Sequence, residues 1–301
     1  MVEQYLELPS FPYRFDLLLE VVRRNAYPAR MVVESDSLWR FVGGKLLCFR
    51  QDGDVIVLTG PALCKSDDSR RHDVSGLSRQ ILGMDCDLSD FYAAARRDAR
   101  LWRQIEPLFG LPLFGTETVF EALVTLIIEQ HISWKNALRS QRRLMRMLDS
   151  GVRTGGYKVH DFPTPQELTA LEAEQLKPLK ITNGRINLIL RVAREARDGV
   201  LDLEGLRHLE ASEAYSRLMS IKGVGHWTAA NVLGRAFGKY PYVSHNDVAL
   251  QSAVNHYFYR GAGEKSAKQV LETLEEYGEY AGLVGHFILL RWVLDKYPVA
   301  H

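Results

Sequence analysis

From Leu88 to the C-terminus, apolar residues recur at helical spacing, which confines that part of the chain to helix-on-helix packing. The runs are 89–103, 116–132, 133–148, 183–198, 212–221, 226–238, 247–259, 266–277 and 283–296. Ser89 offers an N-cap to the first, and Thr164-Pro165 opens a further short helix with Thr as cap and Pro in its first turn. Strand signals fade beyond Leu88, and 111–115 reads as a turn. The first 85 residues differ. An amphipathic helix over 15–22 is followed by four β-rich runs, 30–34, 38–42, 45–50 and 54–59. Ser-Asp-Ser, Gly-Gly and Asp-Gly turn signals separate them, which predicts an antiparallel meander with a helix on one face. Residues 64–72 are polar and read as a loop into another helix. The expected fold class is therefore α+β, a small N-terminal antiparallel α/β domain followed by a mostly α-helical body.

Composition excludes several classes. At 301 residues, 46% hydrophobic and 25% charged, the chain has the make-up of an ordinary globular protein. A net charge of +1 leaves nucleic-acid binding to local clusters of cations. The three cysteines, Cys48, Cys64 and Cys86, are scattered, too few for a four-thiolate iron–sulfur site and without zinc spacing. No apolar run approaches the ~20 residues of a membrane span. The Met-Val-Glu-Gln-Tyr-Leu-Glu start lacks the basic-then-apolar order of a signal peptide. The expectation is an intracellular protein, in cytoplasm, nucleoid or nucleus, with no membrane partner.

Within the helical part, Leu218-Met-Ser-Ile-Lys-Gly223-Val224-Gly225-His-Trp227-Thr228-Ala-Ala230 sets a Gly-x-Gly turn between two helical patterns. Glycines permit a tight turn with backbone close to a partner, and amides at the start of the second helix form an anion nest. Leu218, Ile221, Val224 and Val232 supply an apolar seam, and small Thr228 and Ala229 let the helices approach. A Gly-x-Gly alone also suits an ordinary helix hairpin. Between Glu213 and Asp247 there is no acidic residue, while Arg217, Lys222, Arg235 and Lys239 lie in the gap. Asp247 is thus an isolated acid in a basic neighbourhood, at the start of a helical run that it can N-cap.

Ile221-x-Gly223-Val-Gly225-x-x-Thr228-Ala, followed by Asp247 24 residues after the first glycine, resembles the helix-hairpin-helix DNA glycosylases with the Gly/Pro…Asp loop. Phe120-Glu-Ala-Leu-Val-Thr-Leu-Ile-Ile-Glu-Gln130-His131-Ile-Ser133 is similar to a helix end of that family, and 85–102 with Phe109-Gly110-Leu to its lead-in. The α/β front resembles the N-terminal domain of the 3-methyladenine-DNA glycosylase II branch. The likeness runs over about 85–295 and implies the two-lobed glycosylase fold. It divides the chain into 1–85, a central helical domain 115–240 with the hairpin at about 212–238, and a lobe built from 86–114 and 241–301.

The resemblance also implies roles. Asp247 would stabilise the positive sugar that forms as the bond from C1′ to the base breaks, and would orient or deprotonate the attacking water. Lys222, Gly223, Val224, Gly225 and Thr228 would bind the DNA strand. Trp227 would line the pocket for the flipped base, where stacking and cation–π attraction favour a positively charged alkylated purine. Asn231, one turn on, stands where an aromatic can occur and could hydrogen-bond a base edge. His131 would fill the gap left in the stack, Gln130 would contact the opposite strand or the orphan base, and Ser133 would cap the next helix and reach a phosphate. That helix carries Lys135, Arg139, Arg142, Arg143 and Arg146 without an acid, which suits either phosphate contacts or a face paired with carboxylates from elsewhere.

Three departures narrow the expectation. The acid lacks an adjacent Pro, the local sequence being Val243-Ser-His-Asn-Asp247 with Pro241 upstream. The iron–sulfur cysteines of one branch are missing. The position where lyase-capable members carry the Schiff-base Lys holds Trp227. The expected activity is monofunctional excision of alkylated purines from damaged double-stranded DNA by a monomer. No cofactor or metal is required, although hairpin carbonyls could hold a structural monovalent cation. An oxidised-purine glycosylase with lyase activity and a non-catalytic DNA-binding hairpin module are the alternatives. A metal-dependent nuclease is disfavoured because no acidic cluster accompanies Asp247.

Overall fold

The computed structural model describes residues 2–24, 31–60, 74–148, 151–154, 156–259 and 265–296. The chain begins with β1 (Val2–Glu7), α1 (Phe15–Arg23), β2 (Val32–Glu34), β3 (Ser37–Val42), β4 (Lys45–Asp52), β5 (Val55–Gly60) and α2 (Val74–Ile81). It continues through α3 (Ser89–Ala95), α4 (Ala99–Ile105), α5 (Val119–Glu129), α6 (Trp134–Met147), β6 (Val152–Thr154), β7 (Tyr157–Val159), α7 (Pro165–Thr169) and α8 (Asn183–Arg197). It ends with α9 (Ala211–Ser220), α10 (His226–Phe237), α11 (Val248–Tyr259), α12 (Ala267–Glu275) and α13 (Ala281–Lys296). Contacts gather these into two compact units, one of Met1–Leu8, Tyr27–Leu82 and Thr116–Leu209, the other of Pro9–Ala26, Gly83–Gly115 and Glu210–His301.

In the first unit the five front strands form an antiparallel sheet in the order β1-β5-β4-β3-β2. The β3–β4 hairpin turns through Gly43 and Gly44, with φ of 57° and 72°. A two-residue turn with both φ positive matches the right-handed twist of the strands, and glycine adopts it without strain. The four anticipated runs are β2 to β5. Strand β1 was not anticipated, because it is made by pairing Val2–Glu7 with the distant β5. The polar segment 64–72 lies outside the described residues.

Helix α5 is buried at all eleven positions, as its near-continuous apolar sequence requires. Its exposed N–H groups are met by the Thr118 side chain, which accepts from Glu121 N at 3.0 Å, and by the Glu204 carboxylate, which accepts from Val119 N and Phe120 N at 3.0 and 3.1 Å. Helix α6 packs its Ala137, Leu138, Leu144 and Met145 face inward. Its Ser140 hydroxyl donates to Leu179 O at 2.6 Å, and its Gln141 amide to the buried Glu129 carboxylate at 2.7 Å. Strand signals fade beyond Leu88 in the sequence, yet the structure places the β6–β7 hairpin there. Three-residue strands leave no periodic trace. Val159 of β7 packs with Phe41 and Leu46 of the large sheet, so tertiary contact stabilises them.

In the second unit, 89–105 is two helices rather than one. Ser89 is not a cap. Leu88 holds the cap position of α3, and Asp87 Oδ1 accepts from Ser89 N at 2.8 Å. Asp98 then caps α4, accepting from Arg100 N and Leu101 N, and Tyr277 donates to its other oxygen at 2.8 Å. Phe91, Tyr92, Phe109 and Phe287 pack together at the centre with ring centroids 4.7–6.2 Å apart, three of the four pairs tilted and Tyr92 edge-on to Phe287. Helix α1 is joined to this unit through Arg14 N donating to Gly110 O at 2.7 Å. The contacts thus group α1 apart from the sheet it was expected to cover. They also place the α9–α10 hairpin with 83–115 and the C-terminal helices, not with 116–209 as the sequence-based division has it. The physical reason is that close packing between α10, 83–115 and α13 cannot be read from periodicity.

Candidate active site

The hairpin of α9 and α10 closes on a buried seam of Leu218, Ile221, Val224, Ala229, Val232 and Leu233. Two turn hydrogen bonds, Ile221 N to Leu218 O at 3.1 Å and Val224 N to Ile221 O at 2.9 Å, carry the chain round. Val224 is 6% exposed and Thr228 2%, so neither side chain is available to a ligand. Any part these two take in binding a strand is therefore left to their backbone, since the seam that lets the helices approach consumes their side chains. Lys222, Gly223 and Gly225 are exposed.

The two glycines are needed for different reasons. Gly223 has φ of 94°, a conformation that strains any residue with a Cβ. Gly225 has φ of −107° and ψ of −179°, which any residue adopts, and a Cβ there would meet nothing within 4 Å. Inside the protein Gly225 is dispensable. It marks the start of α10, which has no side-chain cap, and keeps that positive helix end open to close approach from outside. Gly223→Ala is therefore expected to cost about 1–2 kcal/mol of stability. Gly225→Ala should leave stability within about 0.5 kcal/mol. Denaturant titration reads both variants, and a loss for Gly225→Ala as large as that for Gly223→Ala would contradict the open space around Gly225.

Beyond α10, residues 243–247 form a short loop whose members are gripped by three side chains of that helix. Trp227 donates its indole N–H to Asp247 Oδ2 at 2.8 Å. Asn231 donates its amide to Trp227 O at 2.7 Å and to Ser244 Oγ at 3.0 Å. His226 Nε2 lies 2.8 Å from Val243 O, and Tyr215 Oη 2.7 Å from His226 Nδ1. A carbonyl only accepts, so His226 carries a proton on Nε2, and in the neutral ring Nδ1 then accepts from the Tyr215 hydroxyl. Tyr215 stacks on Tyr242 at 4.2 Å, and His226 on His245 at 5.2 Å. Burial, with Tyr242 adding, raises the Tyr215 phenol above its ordinary pKa.

Asp247 is bound on both oxygens. Oδ1 accepts from Ala249 N at 2.8 Å and Leu250 N at 3.2 Å, capping α11, while Oδ2 accepts from Trp227. All three partners are donors, which matches the acceptor-only character of an ionised carboxylate. The capping role and a partly exposed, oriented carboxylate thus coexist. Asp247 keeps partial exposure, between exposed Asn246 and Val248, the latter 74% exposed. Trp227 and Asn231 were expected to line a base pocket. Here their polar atoms serve the loop, because Asn231 uses both amide hydrogens internally. Spacing along the sequence pointed to neither His226 nor Tyr215, since their partners lie across the hairpin and on the loop.

The second group of predicted residues is in the other unit, at the α5–α6 turn. Gln130 is the C-cap of α5, half-buried, and its carbonyl accepts from the Arg185 guanidinium, which also donates to Ile128 O at 3.2 Å. A cation on the last carbonyls of a helix satisfies them and suits the helix dipole. His131 follows, exposed, with φ of 53°, a left-handed conformation uncommon for a residue with a Cβ. The turn therefore projects an aromatic side chain from a pinned, strained tip. Ser133 sits at the cap position of α6, but its hydroxyl makes no capping bond and is exposed. Among the described residues no group of three or more His, Cys, Asp or Glu side chains could hold a metal ion, and no helix is long and apolar enough to cross a membrane.

A hairpin open to an anion, followed by an oriented acid, is the site plan of base-excision repair proteins. Residues 124–279 match the family model described as HhH-GPD superfamily base excision DNA repair protein, and the chain belongs to that superfamily. A DNA-3-methyladenine glycosylase of Bacillus subtilis is 27% identical over 166 residues, 55% of each chain, so the chain spans about half the length of that relative. A 3-methyladenine DNA glycosylase from Archaeoglobus fulgidus has the same fold over 99% of this chain and 100% of its own, with a TM-score of 0.79 at 23% identity. An 8-oxoguanine glycosylase/lyase of Clostridium acetobutylicum, solved with dsDNA containing cytosine opposite 8-oxoG, aligns over 98% of each chain with a TM-score of 0.74 at 14% identity. At such identities these structures speak for the fold.

Proposed function

We propose that the protein is a monofunctional DNA glycosylase, a hydrolase of N-glycosyl bonds that removes alkylated purines of the 3-methyladenine type from double-stranded DNA. The observation that carries this reading is Asp247, held with both oxygens in use at the loop after the hairpin. The flipped nucleotide loses its base as the C1′–N bond breaks, and the bonding pair leaves with the base. The sugar becomes positively charged, and ionised Asp247 stabilises that charge. Water then adds to C1′ and loses a proton to Asp247 or to solvent, while the base, cationic before the bond broke, leaves as a neutral molecule. An abasic site remains. An N-alkylated purine already carries positive charge and leaves readily, so no metal or redox cofactor enters the scheme. The relatives named as 3-methyladenine glycosylases favour this lesion class.

Trp227 occupies the place where a lyase would need Lys, which supports hydrolysis over Schiff-base chemistry. The indole would also tether Asp247 next to the sugar. Trp227→Phe keeps the ring and removes the N–H, and is expected to slow base release about tenfold at saturating DNA while affinity for abasic DNA stays within about twofold. The alternative raised by the sequence, oxidised-purine excision with strand cleavage, would leave a different product on the same fold. Borohydride trapping separates the two, since only a Schiff-base enzyme leaves a covalent adduct. Free base and abasic sites from methylated duplex DNA, without adduct, are the expected result. No release from alkylated, deaminated or oxidised duplexes would overturn the enzyme reading and leave a DNA-binding module.

A further inference from the structure

We infer that the solvent face of α6 is a second phosphate-binding surface for duplex DNA, separate from the hairpin; this rests on the DNA-acting reading above. Lys135, Arg139, Arg142, Arg143 and Arg146 fall at i, i+4, i+7, i+8 and i+11. At 3.6 residues per turn they occupy one stripe about 100° wide and about 17 Å long. Lys135, Arg139 and Arg146 are exposed, and Arg142 and Arg143 half-buried. The opposite face is buried, and the bonds from Ser140 and Gln141 fix the helix so that the stripe points outward.

The energetics of this stripe are unfavourable without a partner. Lys135 with Arg139, Arg139 with Arg143, and Arg142 with Arg146 are like charges one turn apart, each such pair destabilising by a few tenths of a kcal/mol. Burial lowers the pKa of Arg142, and the Arg146 charge adds to it in the same direction. Among the described residues, none of Lys135, Arg139, Arg143 and Arg146 pairs with a carboxylate. Other cations of this unit do so, as Lys177 with Glu174, Arg191 with Glu195, and Arg197 with Asp198. The helix dipole accounts for cations near the C-terminus but not for Lys135, which sits in a first turn without an acid. A polyanion with regularly spaced charge relieves all of these pairs together, and duplex DNA carries one phosphate per about 3.4 Å of axis on each strand. The exposed His131 turn and the unused Ser133 hydroxyl stand at the start of the stripe.

The test is the salt dependence of binding to an undamaged duplex. In Arg139→Gln/Arg143→Gln/Arg146→Gln the slope of log K against log salt should fall by about 2–3, near 0.9 per lost contact. Affinity at physiological salt should fall at least tenfold. The control Lys177→Gln/Arg191→Gln/Arg197→Gln removes the same charge from paired positions and should keep the wild-type slope. Arg146→Gln alone, at an exposed position, should lower the slope by about one, and serves if the triple variant unfolds. If the α6 variants keep the wild-type slope, or the control loses as much, the α6 surface is overturned while the glycosylase reading stands. Wild type that fails to bind any duplex overturns both. Preferential binding of wild type to an acidic protein over DNA would likewise overturn the assignment.

Discussion

Asp247→Asn should lower the rate of base release from methylated duplex DNA by about 10²- to 10⁴-fold, the range for losing a charged group that acts in the transition state. Asn is as good an N-cap as Asp, so Oδ1 can still accept from Ala249 N and Leu250 N. The second substituent then becomes an NH2 group facing the Trp227 indole N–H, two donors in opposition. A shift of the loop by a fraction of an ångström and a stability loss of about 1 kcal/mol are expected from that mismatch. Binding to an abasic duplex should persist, because the anion-facing backbone of the turn is untouched. Single-turnover base release and equilibrium binding, measured on the same preparation, separate these effects. Equal release by variant and wild type would remove Asp247 from the chemistry.

Gly282→Ala should be among the most destabilising single-methyl additions in the chain. Gly282 lies in the first turn of α13, and a Cβ there would stand 2.2 Å from Tyr240 O and 2.8 Å from Tyr242 O. Both atoms belong to backbone and cannot rotate away, so helix and loop must separate. Overpacking of this kind costs about 2–3 kcal/mol, and denaturant unfolding should show it as a lowered midpoint. Tyr240 to Tyr242 lead directly into the loop that holds Asp247, so base release should fall further than duplex affinity. An unfolding free energy within about 0.5 kcal/mol of wild type would contradict the close contact.

Much of this architecture was legible in the sequence because its signals are local. Gly43-Gly44 and the β-rich runs around it announced the sheet, Thr164-Pro165 a capped helix, and the Gly223–Gly225 turn a hairpin with Asp247 at the head of the next helix. Each depends on residues within one or two turns. Where a feature depends on distant partners, local pattern misled or was silent. Ser89 looks like a cap but α3 begins without one, β1 exists through β5, and β6–β7 through the larger sheet. The buried state of Thr228, read as a contact residue, follows from helix packing that spacing only hints at.

What the sequence determined by itself is the order of elements, the turn between α9 and α10, the isolation of Asp247 among cations and the basic stripe of α6. Composition, capping and periodicity carry these, and they act along the chain. Only the tertiary structure decided that Trp227 and the α11 amides hold the two oxygens of Asp247, and that His226 and Asn231 fasten its loop. It alone showed that four cations of α6 have no carboxylate partner among the described residues. Hydrogen bonds between groups 13 to 20 residues apart form only after helices have packed, and their geometry is set by that packing rather than by any local preference.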